Sequence, residues 1–352
     1  MKEKNKKNIK LIIALLLVLL LIVGGITSFL FMKHNPSSEE QQEETVVEEK
    51  IEEPIVEEKK KVQIFDMDAH TRPIAVVINN TPVAVKVQEG INNSYILYEF
   101  PTEGNTSRLM ALYQNTPDVN IGTIRSARHN FIDYANENDA IFVAYGWSVF
   151  AKKELQAGAV DYINGITGAG PFWRDNKENL AYEHTVYTNL AKIKEFVSSS
   201  YRMTSDVKPP IKYSTDEINL NSEKTATRVL LNYGPSNVEN YIYDNETKMY
   251  KRNFNDAAAL DHNTKEQVSV KNIIIVKITY YSKEGSKYLE LNDTGSGEGY
   301  FVTNGKMIPI TWKKDSRNSQ TKYLNGNGEE ITVNDGRTLI ALIGEGREIN
   351  IT

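Results

Sequence analysis

A chain of 352 residues with a formal net charge of −5 has room for about two ordinary domains at roughly 150 residues each. It contains no cysteine, which excludes disulfides, thiolate nucleophiles, cysteine metal ligands and attachment of a lipid to a cysteine. The mildly acidic balance lacks the electrostatic footprint of a nucleic-acid binder, so no nucleic-acid partner is expected.

The first ten residues form a basic tail carrying Lys2, Lys4, Lys6, Lys7 and Lys10, followed by an almost purely apolar run from Leu11 to Met32. At ~1.5 Å per helical residue the run reaches ~33 Å, enough for a bilayer core of ~30 Å. Lysines before the run and almost none just after it predict a cytoplasmic N-terminus and an extracytoplasmic remainder. A cleaved secretory signal would have a shorter apolar stretch and a small-residue site. "ITSFLFM" offers none, so a single-pass transmembrane signal anchor over 11–32 is expected, with the membrane as its partner. Residues 33–65, dominated by glutamate and interrupted by Pro36 and Pro54, read as a disordered acidic linker extended by self-repulsion.

Residues 66–205 read as a mixed α/β sandwich domain. "PIAVVI" (73–78) is a buried strand ending at Asn79 and Asn80, and "YILYEF" and "RLMALY" flank a hairpin connection at Gly104. "VNIGTI" (119–124) precedes the polar corner "RSARHN", after which Phe131, Ile132, Tyr134 and Ala135 share one helical stripe. "AIFVAYG" is a further strand. "SVFAKKELQAG" is a helix running from Ser148 as N-cap to Gly158, and "TNLAKIKEFVSSS" is another with Thr188 or Asn189 as cap. Strands alternating with helices predict an α/β layer domain. The glycines of "NGITGAGPFWRDN" are followed by Pro171, which bars a dinucleotide-binding helix. That segment reads as a mobile loop anchored by Phe172 and Trp173.

A polar bridge (206–226) leads into residues 227–352, where short strands alternate with turns. "NYIYDNETKMYKRN" is a hairpin, "NIIIVKITYY" a long strand, and "YFVTNGKMIPITW" a hairpin with the Asn304-Gly305 signal. "NDGRTLIALI" is expected to continue the meander of a β-rich, sandwich- or barrel-like domain.

The candidate site collects at the strand ends. If Ile124 closes a strand and Ser126 caps the next helix, then Arg125, Ser126 and Arg128 stand beside unpaired N–H groups at a positive dipole end, an anion-receptive arrangement. Asn79, Asn80, Glu99, Glu103, Ser107, Arg108, Tyr145 and Ser148 join them in one groove if those ends share a rim. Arg125 and Ser126 would face the ligand while Arg128 holds Glu99 or Glu103; the alternative is a purely structural ion-pair network. Two carboxylates in a cleft are also the minimal kit of a glycoside hydrolase, which would cast Glu99 and Glu103 as the pair. His184, in "YEHTVYT", orients a loop or serves as a base. His34, His70, His129 and His262 have no metal-ligand spacing, and neither a metal nor a cofactor is expected. HExxH, GxSxG and Walker A sequences are missing, which leaves catalysis without a motif.

These segments also carry a likeness. "RPIAVVINN", "YEFPTEGNTSRLMALY", "IGTIRSAR", "FWRD", "GEGYFVTNGKMIPITWKK" and "ITVNDGRTLIALI" resemble the YerB-like bacterial envelope proteins, a family of unknown function with N- and C-terminal halves. The likeness runs from about Arg72 to Ile343. It implies a two-domain extracytoplasmic protein, usually tethered as a lipoprotein, without an established reaction.

The family's Arg-Ser-Ala-Arg motif falls on Arg125, Ser126, Ala127 and Arg128, and its glutamates on Glu99 and Glu103. Its Thr-Arg pair falls on Ser107 and Arg108, and its Pro-His-Asn run on Glu183, His184 and Thr185. Here the Leu11–Met32 run replaces the lipidated cysteine, Ala144 precedes the turn before Ser148 where a histidine is usual, and Asn79 and Tyr95 stand at acidic positions. These departures favour binding over catalysis: an anchored envelope protein whose ligand is an anion, a glycan or a protein segment, with a cell-wall component or an envelope protein as partner. A pure interaction scaffold is the other non-catalytic reading.

Overall fold

The structure, a computed structural model, describes residues 61–352. The basic tail, the Leu11–Met32 run, His34 and the linker as far as residue 60 lie outside the described residues. No helix among the described residues is long and apolar enough to cross a membrane.

Residues 62–65, assigned to the linker from their charged surroundings, pack onto the body. Val62 and Phe65 are buried, and the Phe65 ring lies 5.0 Å from Tyr95 and 5.1 Å from Tyr213. The backbone N–H groups of Gln63 and Ile64 donate to the Asp335 carboxylate at 2.7 and 2.9 Å. Two apolar side chains spaced three apart thus outweigh the charge of their neighbours.

Eight strands precede residue 190: β1 (Ile74–Asn79), β2 (Ile96–Thr102), β3 (Thr106–Tyr113), β4 (Asn120–Gly122), β5 (Ile141–Ala144), β6 (Tyr162–Asn164), β7 (Phe172–Arg174) and β8 (Val186–Asn189). Besides a single helical turn at Pro82–Val85, the helices are α1 (His129–Glu137), α2 (Val149–Gln156) and α3 (Leu190–Val197). An eleven-stranded sheet runs β2-β3-β1-β5-β6 on one side and continues on the other through Thr338–Gly344, Asn272–Ser282, Gly295–Thr303, Lys306–Lys314 and Lys322–Leu324, with Leu289–Asn292 paired to the far end of Asn272–Ser282. The two sequence segments 66–205 and 227–352 are therefore joined within one sheet, and the described residues group as one compact unit.

The join corrects the expected meander. Thr338–Gly344 pairs in parallel with both β2 and Asn272–Ser282, and all seven of its residues are buried. Its unbroken apolar run is the mark of a strand covered on both faces, where alternation has no reason to appear.

One face of the sheet buries Tyr98, Phe100, Met110 and Leu112 beneath α1 and α2. The other buries Ile78, Leu97 and Leu109 with α3 and a six-stranded sheet that includes Arg228–Gly234, Asn237–Asp244 and Met249–Phe254. The result is a mixed α/β fold with a β-rich C-terminal part and few helices.

Local chemistry places the ends of these elements. Ser148 Oγ accepts from the Ala151 N–H at 3.1 Å to cap α2, and Asn189 Oδ1 does the same for Lys192 at 3.1 Å in α3. Asn304 and Gly305 have φ of 48° and 71° in the hairpin they predict. Phe172–Arg174, by contrast, is not loop but an antiparallel partner of β8. Pro171 stops a helix but leaves the next three residues free to pair at an edge.

Helix α1 carries, beside its apolar stripe, a polar one at positions 129, 133 and 137. His129 Nε2 lies 3.0 Å from Glu290, Asp133 takes a two-point hydrogen bond from Arg317 at 2.8 and 2.9 Å, and Glu137 takes Lys314 Nζ at 2.6 Å. This face binds the helix to the C-terminal strands.

Candidate functional site

β1 and β5 pair in parallel only over Ile74–Val76 and Ile141–Val143. Beyond that they part, and the polar corner fills the gap. Arg125 N donates to Val77 O at 3.0 Å and Tyr145 N to Arg125 O at 3.0 Å, while Asn79 N donates to Thr123 O at 2.8 Å. Ala127 N donates to Gly146 O and Ser148 N to Ala127 O, each at 3.0 Å. Residues 123–128 thus occupy the crevice at the carboxyl ends of two parallel strands, where open α/β sheets take ligands.

Ser126 is not the helix cap. Its hydroxyl donates to Tyr145 O at 3.2 Å, and Arg128 holds the N-cap position of α1 with φ −119° and ψ 149° and no side-chain cap. The strand-like hydrogen bonds of 125–127 delay the helix by two residues. Gly146, at φ +91°, lies so close that a Cβ there would come within 2.6 Å of Ser126 Oγ. Gly146→Ala is expected to destabilise the protein by about 1–3 kcal/mol. In urea unfolding the midpoint should fall with the slope unchanged.

Three arginines meet at this corner. Arg128 grips both oxygens of Glu103, with Nε at 2.9 Å and Nη2 on the second oxygen, and lies over the Tyr288 ring at 5.0 Å. Burial raises the Glu103 pKa, but the Arg128 hydrogen bonds and the charges of Arg128 and Arg108 prevail and bring it to about 2. Arg128 therefore has its counter-charge.

Arg108 does not. It is 6% exposed, donates from Nη1 to Ser126 O at 2.6 Å, and makes no ion pair among the described residues. Burial, then the Arg128 charge, push its pKa well below the usual arginine value, with Glu103 opposing and Arg125 adding to the effect. Arg125 is half-buried. Its Nη1 reaches only Glu183 O at 3.4 Å, and its buried Nε has no partner. Burial lowers its pKa too, against the nearby Glu183 charge and with that of Arg128.

His184 completes the donor set. Asn79 Oδ1 accepts from the Thr81 N–H and hydroxyl at 3.2 and 3.1 Å, so the Asn79 amide nitrogen donates to His184 Nδ1 at 2.7 Å. The hydrogen-bond network thereby assigns the ring proton to Nε2. Burial and the Arg125 charge lower the His184 pKa, against Glu183, keeping the ring neutral at pH 7.

Register explains why the expected groove divides. Asn79 and Phe100 both sit opposite Arg108, on the α1/α2 face. Glu99 opposite Leu109, and Ser107 opposite Pro101, project to the other face. There Asn80 Nδ2 donates to Glu99, Ser107 and Glu239 at 3.2, 2.8 and 2.9 Å. Ser107 Oγ donates to Glu99 at 2.6 Å. Arg252 binds both Glu239 oxygens at 2.8 and 2.7 Å and Asn80 Oδ1 at 2.6 Å.

Asn80, Glu99, Ser107 and Ser148 therefore lie in the interior and do not line an open groove. The hydrolase geometry also fails: Glu99 is fully buried behind the sheet and Glu103 is held by Arg128, so the two carboxyls do not face a substrate across a water-filled gap. The structure brings together Asn79, Glu103, Arg108, Arg125, Ser126, Arg128, Tyr145 and His184.

Sequence reasoning missed Glu239 and Arg252. The signal was the alternation of Asn237, Glu239 and Tyr241, and of Tyr250, Arg252 and Phe254, which points every second residue inward. It also missed Arg174, whose guanidinium centre lies 5.1 Å from the Tyr145 ring centroid and 3.3 Å from that of Tyr182.

Comparison with known proteins agrees with the motif order. Residues 62–203 match "Protein of unknown function (DUF3048) N-terminal domain", and residues 229–340 match the corresponding C-terminal domain. "Putative lipoprotein YerB" of Bacillus subtilis (strain 168) is 32% identical over 275 residues, covering 76% of this chain and 77% of that protein. The crystal structure of YerB protein from Bacillus subtilis superposes with a TM-score of 0.70 at 28% identity, covering 80% of this chain and 94% of the other. The chain belongs to the YerB-like DUF3048 family, carrying both its N-terminal and its C-terminal domain.

Proposed function

We propose that the protein is an extracytoplasmic, membrane-associated envelope protein that binds an anionic ligand at the corner formed by Arg108, Arg125 and His184. The membrane association rests on the relative described as a lipoprotein and on the Leu11–Met32 run, which supplies a single-pass anchor with a cytoplasmic N-terminus. The observation that carries the binding role is Arg108: a guanidinium 6% exposed with a single hydrogen bond to a neutral carbonyl. Burying such a charge with only a share of the Glu103 carboxylate that Arg128 holds is costly, and an arriving carboxylate or phosphate offsets that cost. Arg125 and the Nε2–H of His184 supply further donors, and the guanidinium fork suits the two oxygens of such a group.

Titration of the full-length protein with inorganic phosphate and with polyglutamate tests the reading. Wild type is expected to bind with an affinity that falls as salt rises. Arg125→Ala should weaken binding by about tenfold or more, the loss of one or two charge-assisted hydrogen bonds. Unchanged affinity in a variant with an intact circular dichroism spectrum would sink the site assignment.

A further inference from the structure

Beside the anion corner lies a surface made of rings. Arg174 is sandwiched between Tyr145 and Tyr182, and its Nη1 donates to Tyr182 O and to Thr185 Oγ1. Thr185 Oγ1 in turn donates to Tyr182 O at 2.9 Å. Tyr145 packs edge-on against Phe172 at 5.6 Å, and both rings lie over Gly165, where a Cβ would come within 2.4 Å of Tyr145. The ledge is therefore fixed from below.

Its outer member is nonetheless 71% exposed, with one ring face covered by the guanidinium. An exposed tyrosine with one face already stacked on a guanidinium offers its other face as a contact area with few rotatable bonds to order on binding. Arg174, like Arg108 and Arg125, makes no ion pair among the described residues. The two regions are contiguous: Arg125 Nη1 reaches Glu183 O, the residue next to Tyr182, and Arg125 O accepts from Tyr145 N.

We infer that the ligand is an acidic saccharide, one ring stacking on Tyr182 while its carboxylate or phosphate group reaches Arg125 and Arg108. This rests on the anion-binding reading above. A pyranose presents apolar C–H faces to an aromatic ring and hydroxyls at its rim. Glu183, exposed in the same turn, is an acceptor for those hydroxyls. A simple polyanion or an acidic peptide backbone uses the arginines but has no use for the ledge.

The test compares four probes on the full-length protein: an oligogalacturonate, a glucose phosphate, inorganic phosphate and polyglutamate. Of these, at least one acidic saccharide is expected to bind about tenfold more tightly than phosphate and polyglutamate. Tyr182→Ala should erase that advantage and leave phosphate binding unchanged, whereas Arg125→Ala should weaken every probe. If Tyr182→Ala binds the saccharide as wild type does, or if polyglutamate binds as tightly as the better of the two saccharides, the saccharide inference is overturned while the anion reading stands. If wild type binds none of the four, both fall together.

Discussion

Glu239→Gln is expected to lower the unfolding free energy by about 3–5 kcal/mol, because it leaves the Arg252 guanidinium buried without its carboxylate. Both groups are fully buried, and Arg252 donates to Glu239, Asn80 and Gln88. Glu99→Gln, in the same cluster, should behave in the opposite way. Burial, then the neighbouring Glu239 charge, raise the Glu99 pKa well above the usual carboxylate value, which favours the protonated form, and a glutamine copies the shape of that form. The sign follows from linkage. A carboxyl whose folded pKa is raised stabilises fully below its unfolded value of ~4.3, and that stabilisation is lost as pH rises through the folded value. Urea unfolding from pH 5 to pH 9 should therefore show wild-type stability declining relative to Glu99→Gln as pH increases. A flat difference between the two curves, or a Glu239→Gln variant as stable as wild type, would contradict the assignment of the proton to Glu99 and of the charge to Glu239.

Lys314→Met is the second large effect, about 3–5 kcal/mol. Lys314 and Glu137 are both fully buried and 2.6 Å apart, and the ammonium also donates to Ser319 O at 2.6 Å and lies 5.0 Å from the Tyr134 ring centroid. Removing it leaves Glu137 with donors from Tyr98 OH, Thr321 N and Thr321 Oγ1, but without a positive charge. The double variant Lys314→Met/Glu137→Leu should recover part of the loss, since an apolar replacement of a whole buried pair is often near neutral. A double-mutant cycle measures this directly, and additive losses would mean that the pair is not coupled.

Most single elements were legible in the sequence because their causes are local. Ser148 and Asn189 announce helix starts, Asn304-Gly305 a hairpin, and the apolar run of β1 a buried strand. What was not legible is pairing. Nothing in "TLIALIG" says that it inserts between β2 and Asn272–Ser282 rather than beside its sequence neighbours. The site suffered from the same gap. Arg108, Arg125, Arg128 and Glu103 were recognisable as a cluster, and Arg128 does hold Glu103. Yet the face on which Glu99 and Ser107 would lie depends on register, since one step along a strand reverses a side chain. Ser126 was misplaced because a serine before a helix reads as a cap, whereas here backbone bonds to Val77 and Tyr145 hold its neighbours in an extended path.

The strand Thr338–Gly344 has a consequence for how the chain reaches this state. It lies near the end of the sequence yet is the central partner of β2, so the contacts it makes span more than two hundred residues. When residues 96–99 leave the ribosome, that edge of β2 has no partner, and it stays a bare apolar edge until the chain has been extended past Ala341. A topology this non-local collapses slowly. The interval before Thr338–Gly344 arrives is the period in which the protein is most vulnerable to joining a second copy of itself.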